Sequence, residues 1–331
     1  MVDLWGSERV QFRVNAESCL QRSLRKTHFA PHYLCVGSFE KIQKFSNFEL
    51  EEKDMPSTPE WIPVEPNLET ILAQHPRPLK DLAEGRIPAV LMRRAFHPEH
   101  CTALVRRFYE RGLLYDPRTP GGDKPARRVD IGTSLGSHGR NPEGFFAHAK
   151  QTHELYETLF DGYDNPVKFI YNTLSALAPD KRVMVAHEPD GRRYGPAIFR
   201  TYYEGVGHNP HFDSVSKRSK LSNYAVSRFE KQFAGVLCFQ NAEDDEETGQ
   251  AFLYRHQWTP DMPEGWNKTF HEYASARGIE RVRVELEPGD FYVFCSETIH
   301  EVPPPRGDRP RIVLAAFFAM SEDEEEIFVW S

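Results

Sequence analysis

The sequence predicts a mainly β protein, a sandwich or barrel braced by helices, on three observations. Beyond Pro196 the apolar residues fall into a period near two. The apolar runs are short. Clusters of Gly, Pro, Asp and Asn separate them. The expected strands are Ile198–Tyr203, Phe233–Phe239, Ala251–His256, Val282–Leu286, Phe291–Cys295 and Ile312–Phe318. No Gly-rich phosphate loop stands between a strand and a helix, so a nucleotide-binding fold is not supported.

Residues 1–80 are expected to form an N-terminal extension that caps the barrel or extends its sheet, with the main domain over 81–331. Val10–Val14 alternates apolar and polar positions, as a strand would. Prolines and acidic residues crowd 46–69, which reads as a surface loop or linker. From Ile87, IPAVLMRRAF reads as a short strand. The helix after it opens near Pro98 and stops at Gly112, with Cys101, Leu104, Val105 and Phe108 on one face. Residues 115–128 are rich in Gly, Pro and charge and form a loop, either an ordinary solvated one or a lid. Helical spacing returns over 143–160. Asn165 then caps a helix that begins at Pro166 and runs to Ala178, with Val167, Ile170, Leu174 and Leu177 at helix spacing. The acidic runs 243–247 and 322–326 read as solvated turns, and the terminal IFVWS as a segment packed on the core.

With 331 residues, 39% of them hydrophobic and 27% charged, the chain can bury a sizeable core. A net charge of -8 argues against a nucleic-acid partner. No run of about 18 apolar residues is present, so no membrane span is expected. The first residues lack the basic and apolar regions of a secretory signal. The five cysteines, at 19, 35, 101, 238 and 295, are odd in number and form no C-x-x-C pair. Reduced thiols in a cytoplasmic setting are expected.

The chemistry is concentrated in YYEGVGHNPHFD (202–213), which ends in His211 and Asp213 with one residue between. His300 follows in PGDFYVFCSETIHEV, and Arg311 stands eleven residues further on, in GDRPRIVLAAFF. Two imidazoles and one carboxylate are the donor set of non-haem iron(II). They fill one face of an octahedron and leave three positions open, enough for a chelating 2-oxo acid and dioxygen. Residues i and i+2 of a strand share a face, so His211 and Asp213 can grip one ion at a strand end. His300 must then come from a strand adjacent in space. His-x-Asp alone is weak evidence, because a surface histidine fits it equally well. The frame around His300 adds weight: the turn Glu287-Pro288-Gly289-Asp290 precedes an apolar strand, and HEVPP leads on to Arg309 and Arg311.

An arginine has a task here. The far carboxylate of 2-oxoglutarate, desolvated in a barrel, needs paired charge-assisted hydrogen bonds. Arg309 and Arg311 share strand parity. Arg311 is favoured because it lies nearer the apolar strand, and Arg309 otherwise reads as a surface ion-pair residue. His208, Asn209 and Ser214 flank the clamp and are candidate substrate contacts.

From about Ile87 onward the chain resembles the iron(II)/2-oxoglutarate oxygenases with a double-stranded β-helix (jelly-roll, cupin-like) core. Within them it resembles the aliphatic halogenases of hapalindole- and welwitindolinone-type alkaloids. YGPAIFRTYYEG, FAGVLCFQNAEDDEETGQAFLY, PGDFYVF, HEV with GDRPR, and FVWS carry the resemblance. It implies His211 and His300 as iron ligands, Arg311 as the 2-oxoglutarate anchor, and dioxygen as cosubstrate. Arg200 matches an arginine on the equivalent strand and belongs either to the cosubstrate pocket or to the core. Tyr203 either donates to a cosubstrate carboxylate or packs in the core. The halogenases carry glycine where this chain has Asp213, and that gap admits chloride. The carboxylate here implies hydroxylation, desaturation or an oxidative ring closure such as the kainoid synthases perform, on a specialised small-molecule substrate with release of succinate and carbon dioxide. The competing readings are a protein or peptidyl hydroxylase, which would want an open groove, and a cupin-like binding module without catalysis. A structural zinc protein fits poorly, since the cysteines do not cluster.

Overall fold

The computed structural model describes residues 60–116, 125, 127–217, 221–243 and 249–331. The expected strand at Val10–Val14, the linker up to residue 59, Cys19, Cys35, most of the 115–128 loop and most of the 243–247 acidic run lie outside the described residues. In chain order the strands are β1 (Val90–Met92), β2 (Val129–Ile131), β3 (Arg182–Val185), β4 (Ile198–Tyr202), β5 (His208–His211), β6 (Lys231–Gln240), β7 (Ala251–Gln257), β8 (Arg281–Val284), β9 (Phe291–Cys295), β10 (Thr298–Val302), β11 (Arg311–Met320) and β12 (Glu326–Trp330). The helices are α1 (Leu68–Gln74), α2 (Pro78–Ala83), α3 (Pro98–Glu110), α4 (Leu135–His138), α5 (Pro142–Leu159), α6 (Pro166–Leu177) and α7 (Trp266–Ala276).

Two sheets form, the arrangement of a double-stranded β-helix. The larger runs β1-β9-β6-β11-β12-β3, with β4 bridging β11 and β2. The smaller runs β5-β10-β7-β8. Strand β11 organises the larger sheet. One edge pairs with β6 along its length, while the other takes β4 against Arg311–Ala315 and β12 against Phe317–Ala319. Alternation along β11 divides its side chains. Ile312, Leu314, Ala316 and Phe318 join the core that includes Leu104 and Phe108 of α3 and Ile170 and Leu174 of α6. Val313 faces the other way, in a cluster with Leu253 of β7 and Val302 of β10. The polar residue that shares this inward parity at the start of β11 is Arg311.

The helices form where the sequence places their signals. Asn165 accepts hydrogen bonds from the amides of Val167 and Lys168, satisfying two donors that a helix N-terminus leaves open. Cys101, Leu104, Val105 and Phe108 are the buried face of α3. Ahead of Ile87, Val64 bridges to Val90 beside β1, and Ile71, Leu79 and Leu82 join the same core as α3 and α6. Helix α7 was not expected from the sequence. Its Phe270 and Ala274 cover Phe252, Tyr254 and Ile299 on the outer face of the smaller sheet. The expected strands at 198–203 and 291–295 match β4 and β9, and IFVWS is β12 with its packed end. Among the described residues no helix is long and apolar enough to cross a membrane.

Candidate metal centre

Strands β5 and β10 pair antiparallel, and His211 stands directly opposite His300. The two ring centroids lie 4.2 Å apart. A shift of register between His300 and Val302 breaks strict alternation here. Gly207, before β5, allows the close approach: a Cβ there would lie 2.6 Å from the Val302 carbonyl oxygen and the Pro304 nitrogen. Asp213 lies just past the end of β5, and its backbone is tied twice to the turn between β9 and β10. Its amide donates to the Ser296 carbonyl (2.8 Å), and Ser296 Oγ donates to its carbonyl (2.9 Å). Between the two ligand candidates, Phe212 stacks on Trp258, with ring centroids 4.8 Å apart.

Both histidines use Nδ1 on the backbone. His211 Nδ1–H donates to the Asn209 carbonyl and His300 Nδ1–H to the Thr298 carbonyl, each at 2.8 Å. Each Nε2 therefore presents a lone pair, and Asp213 Oδ2 lies 3.6 Å from one and 3.7 Å from the other. The three donor atoms lie within 4.8 Å of one another. Three electron-pair donors facing each other repel unless a cation sits between them, so this donor set fits a divalent metal, and its chemistry fits iron(II).

Arg311 is 2% exposed, lines the same cavity as the three donors, and its Nε has no protein partner among the described residues. Its register partner is Tyr202, whose ring centre lies 5.5 Å from the guanidinium carbon. Arg200 also lines the cavity, its Nε likewise without a partner among the described residues. Arg309 and Tyr203 stand apart from this cavity. Arg309 is exposed and lines none of the cavities beside the centre, because β11 begins only at Arg311 and shared parity means nothing outside the strand. Tyr203 faces away from the cavity and donates to the Tyr115 carbonyl at 2.7 Å. Alternation along β4 turns Tyr202 inward instead, and Tyr202 is the residue that sequence reading missed. The parity of Arg200, two residues earlier, was the available signal.

Beside the metal position lies a cleft of about 350 Å³, lined by Arg128, Ser134, Leu135, Asn209, Ser214 and Trp330 among others. His208 borders both the cleft and the metal cavity. Ser214 is buried and donates to Glu297 Oε1 at 3.1 Å, so its hydroxyl holds the clamp loop. Glu297, also buried, takes Lys217 Nζ at 2.9 Å.

Burial pushes His148, His153, His256 and His300 below the ordinary imidazole value and His208 down to about 2, helped there by the charges of His211, Arg128 and Arg200. A histidine kept neutral in the fold takes up its proton on unfolding. Stability is therefore full above the unfolded value of about 6.5 and declines as pH falls below it. Asp213 acts only in the carboxylate range, far lower. Urea midpoints of the metal-free protein should therefore drop between about pH 7.5 and about pH 5.5. Equal midpoints would contradict neutral burial of these rings.

The sequence profile of the family described as carrier-protein-independent halogenase WelO5 matches residues 64–331. The chain belongs to that family. This WelO5-family protein is an iron(II)- and 2-oxoglutarate-dependent enzyme of the dioxygenase class, as the His–Asp–His group fits. No curated protein sequence gives a match. Among solved structures, an N-substituted L-amino acid dioxygenase from Burkholderia ambifaria AMMD aligns over 76% of this chain and 90% of its own, at 16% identity and a TM-score of 0.51, which marks a shared fold. The non-heme alpha ketoglutarate dependent carbocyclase SnoK from nogalamycin biosynthesis aligns over 81% and 100%, at 10% identity and a TM-score of 0.44. A prolyl-4-hydroxylase from Pseudomonas putida aligns over 73% and 96%, at 17% identity and a TM-score of 0.33.

Proposed function

We propose that this protein oxidises an unactivated C–H bond of a small-molecule metabolite, by hydroxylation, desaturation or ring closure, and does not transfer halogen. The observation that carries the reading is Asp213. It supplies a half-buried carboxylate oxygen to the metal position, where the halogenases that the sequence resembles have glycine. A coordination position taken by carboxylate is not open to chloride.

His211 and His300 would hold the iron through Nε2, and Asp213 through a carboxylate oxygen. Iron held there would supply the coupling of oxidative decarboxylation of 2-oxoglutarate, to succinate and carbon dioxide, with oxidation of the substrate. Arg311 receives the far carboxylate of 2-oxoglutarate, and its burial removes the water that would compete for it. Tyr202 supports that guanidinium from beneath, and Arg200 adds positive charge to the same wall. The cleft of about 350 Å³ is of small-molecule size. Its walls hold one C–H bond toward the metal and exclude water from it.

The test uses wild-type protein and Asp213→Gly, each given iron(II), 2-oxoglutarate, dioxygen, chloride and a pool of candidate metabolites. Wild type is expected to yield products with one added oxygen or two fewer hydrogens. Only Asp213→Gly gives chloride a place on the metal. A chlorinated product from the wild type would overturn the reading.

A further inference from the structure

Resting on the iron reading above, we propose that Arg128 and His208 form a donor relay ending on the metal-ligating lone pair of His211. His211 holds the His208 Nδ1–H while no cation is bound. Once a cation takes that lone pair, the Nδ1–H is left for an acceptor in the adjoining cleft.

The relay follows from which atoms can donate. Arg128 is gripped by Asp130, with Nε 2.6 Å from Oδ1 and Nη2 2.9 Å from Oδ2. This fixes the guanidinium plane and leaves Nη1 3.3 Å from His208 Nε2. A guanidinium only donates, so His208 Nε2 accepts, and the ring hydrogen of the neutral imidazole resides on Nδ1. That Nδ1 lies 3.1 Å from His211 Nε2, and the rings meet edge to face at 83°. His211 has already committed Nδ1–H to the Asn209 carbonyl. Its Nε2 is therefore an acceptor, and the Nδ1–H of His208 points at the lone pair that a metal needs.

One lone pair cannot serve both. A bound cation displaces the hydrogen bond and frees a polar N–H that borders both the metal cavity and the cleft. The substrate class that suits it carries an acceptor oxygen, as carbonyl, hydroxyl or carboxylate, near the carbon to be oxidised. His208 is then a specificity-determining donor and Arg128 a positioning residue that sets its tautomer.

Zinc serves as a redox-silent probe of the full-length protein, titrated against a chelating dye. His208→Leu removes the competitor and should bind zinc about fivefold tighter than wild type, the size of one ordinary hydrogen bond. Histidine nitrogen NMR should show His208 with its hydrogen on Nδ1 in the wild type, a shift toward Nε2–H in Arg128→Met, and faster exchange of Nδ1–H with water once zinc is added. Unchanged affinity in a folded His208→Leu variant, or an Nε2–H tautomer in the wild type, overturns the relay. If His208→Leu does not fold, the wild-type tautomer decides alone. Failure of the wild type itself to bind zinc is a separate result, and it overturns the metal reading beneath.

Discussion

Replacing His211 with alanine should abolish iron-dependent succinate formation and weaken metal binding by more than roughly 100-fold. The loss of an outer-sphere partner already costs about 10- to 100-fold, and a direct ligand is worth more. The fold should survive. The side chain lies at the end of a four-residue strand and is 23% exposed, and among the described residues its hydrogen bonds reach only Asn209 and His208. Metal content, succinate yield and thermal unfolding measured on one preparation separate loss of the centre from loss of structure. Full turnover in a well-folded His211→Ala protein would sink the assignment. His300→Ala is the harsher case, because that ring is buried against Phe294, with centroids 4.9 Å apart, and its removal leaves a cavity as well.

Arg311→Ala should raise the 2-oxoglutarate requirement by about 30-fold or more, since truncating one side of a buried, hydrogen-bonded charge pair costs about 2–5 kcal/mol. Arg309→Ala should leave it unchanged. Lysine at 311 keeps the charge but loses the paired donors, and should fall between wild type and alanine. The measurement is succinate formation against 2-oxoglutarate concentration for the three variants. The opposite ranking of the two alanine variants would move the anchor to Arg309, against the burial of Arg311.

The sequence was most legible where one physical signal acted alone. Cys101, Leu104, Val105 and Phe108 in α3 obey helical spacing, and Asn165-Pro166 opens α6 through the amides that any helix leaves free. The donor residues at 211, 213 and 300 were readable from type and frame. Their geometry was not, because β5 and β10 are short and irregular in register, and no local pattern announces that 211 will face 300. The Tyr202–Tyr203 pair turned on a single step of alternation, which depends on where β4 meets β11. Arg309 and Arg311 differ by whether the strand has begun, which Pro310 and the pairing with Tyr202 decide. Helix α7 was missed because its buried face is only Phe270 and Ala274, too few for a periodic signal.

Among the described residues strand β5 has one hydrogen-bonded neighbour, β10, and stands at the margin of the smaller sheet. The large core under β6 and β11 does not depend on it. Fraying of these four residues would carry His211 away while the rest stayed native, so with the proposed ligands the residence time of a bound ion would depend on how often this edge opens. The bound ion joins two chain segments distant in sequence, and it resists that fraying as a clasp does. Metal loading should therefore quiet this margin of the molecule far more than it stiffens the interior.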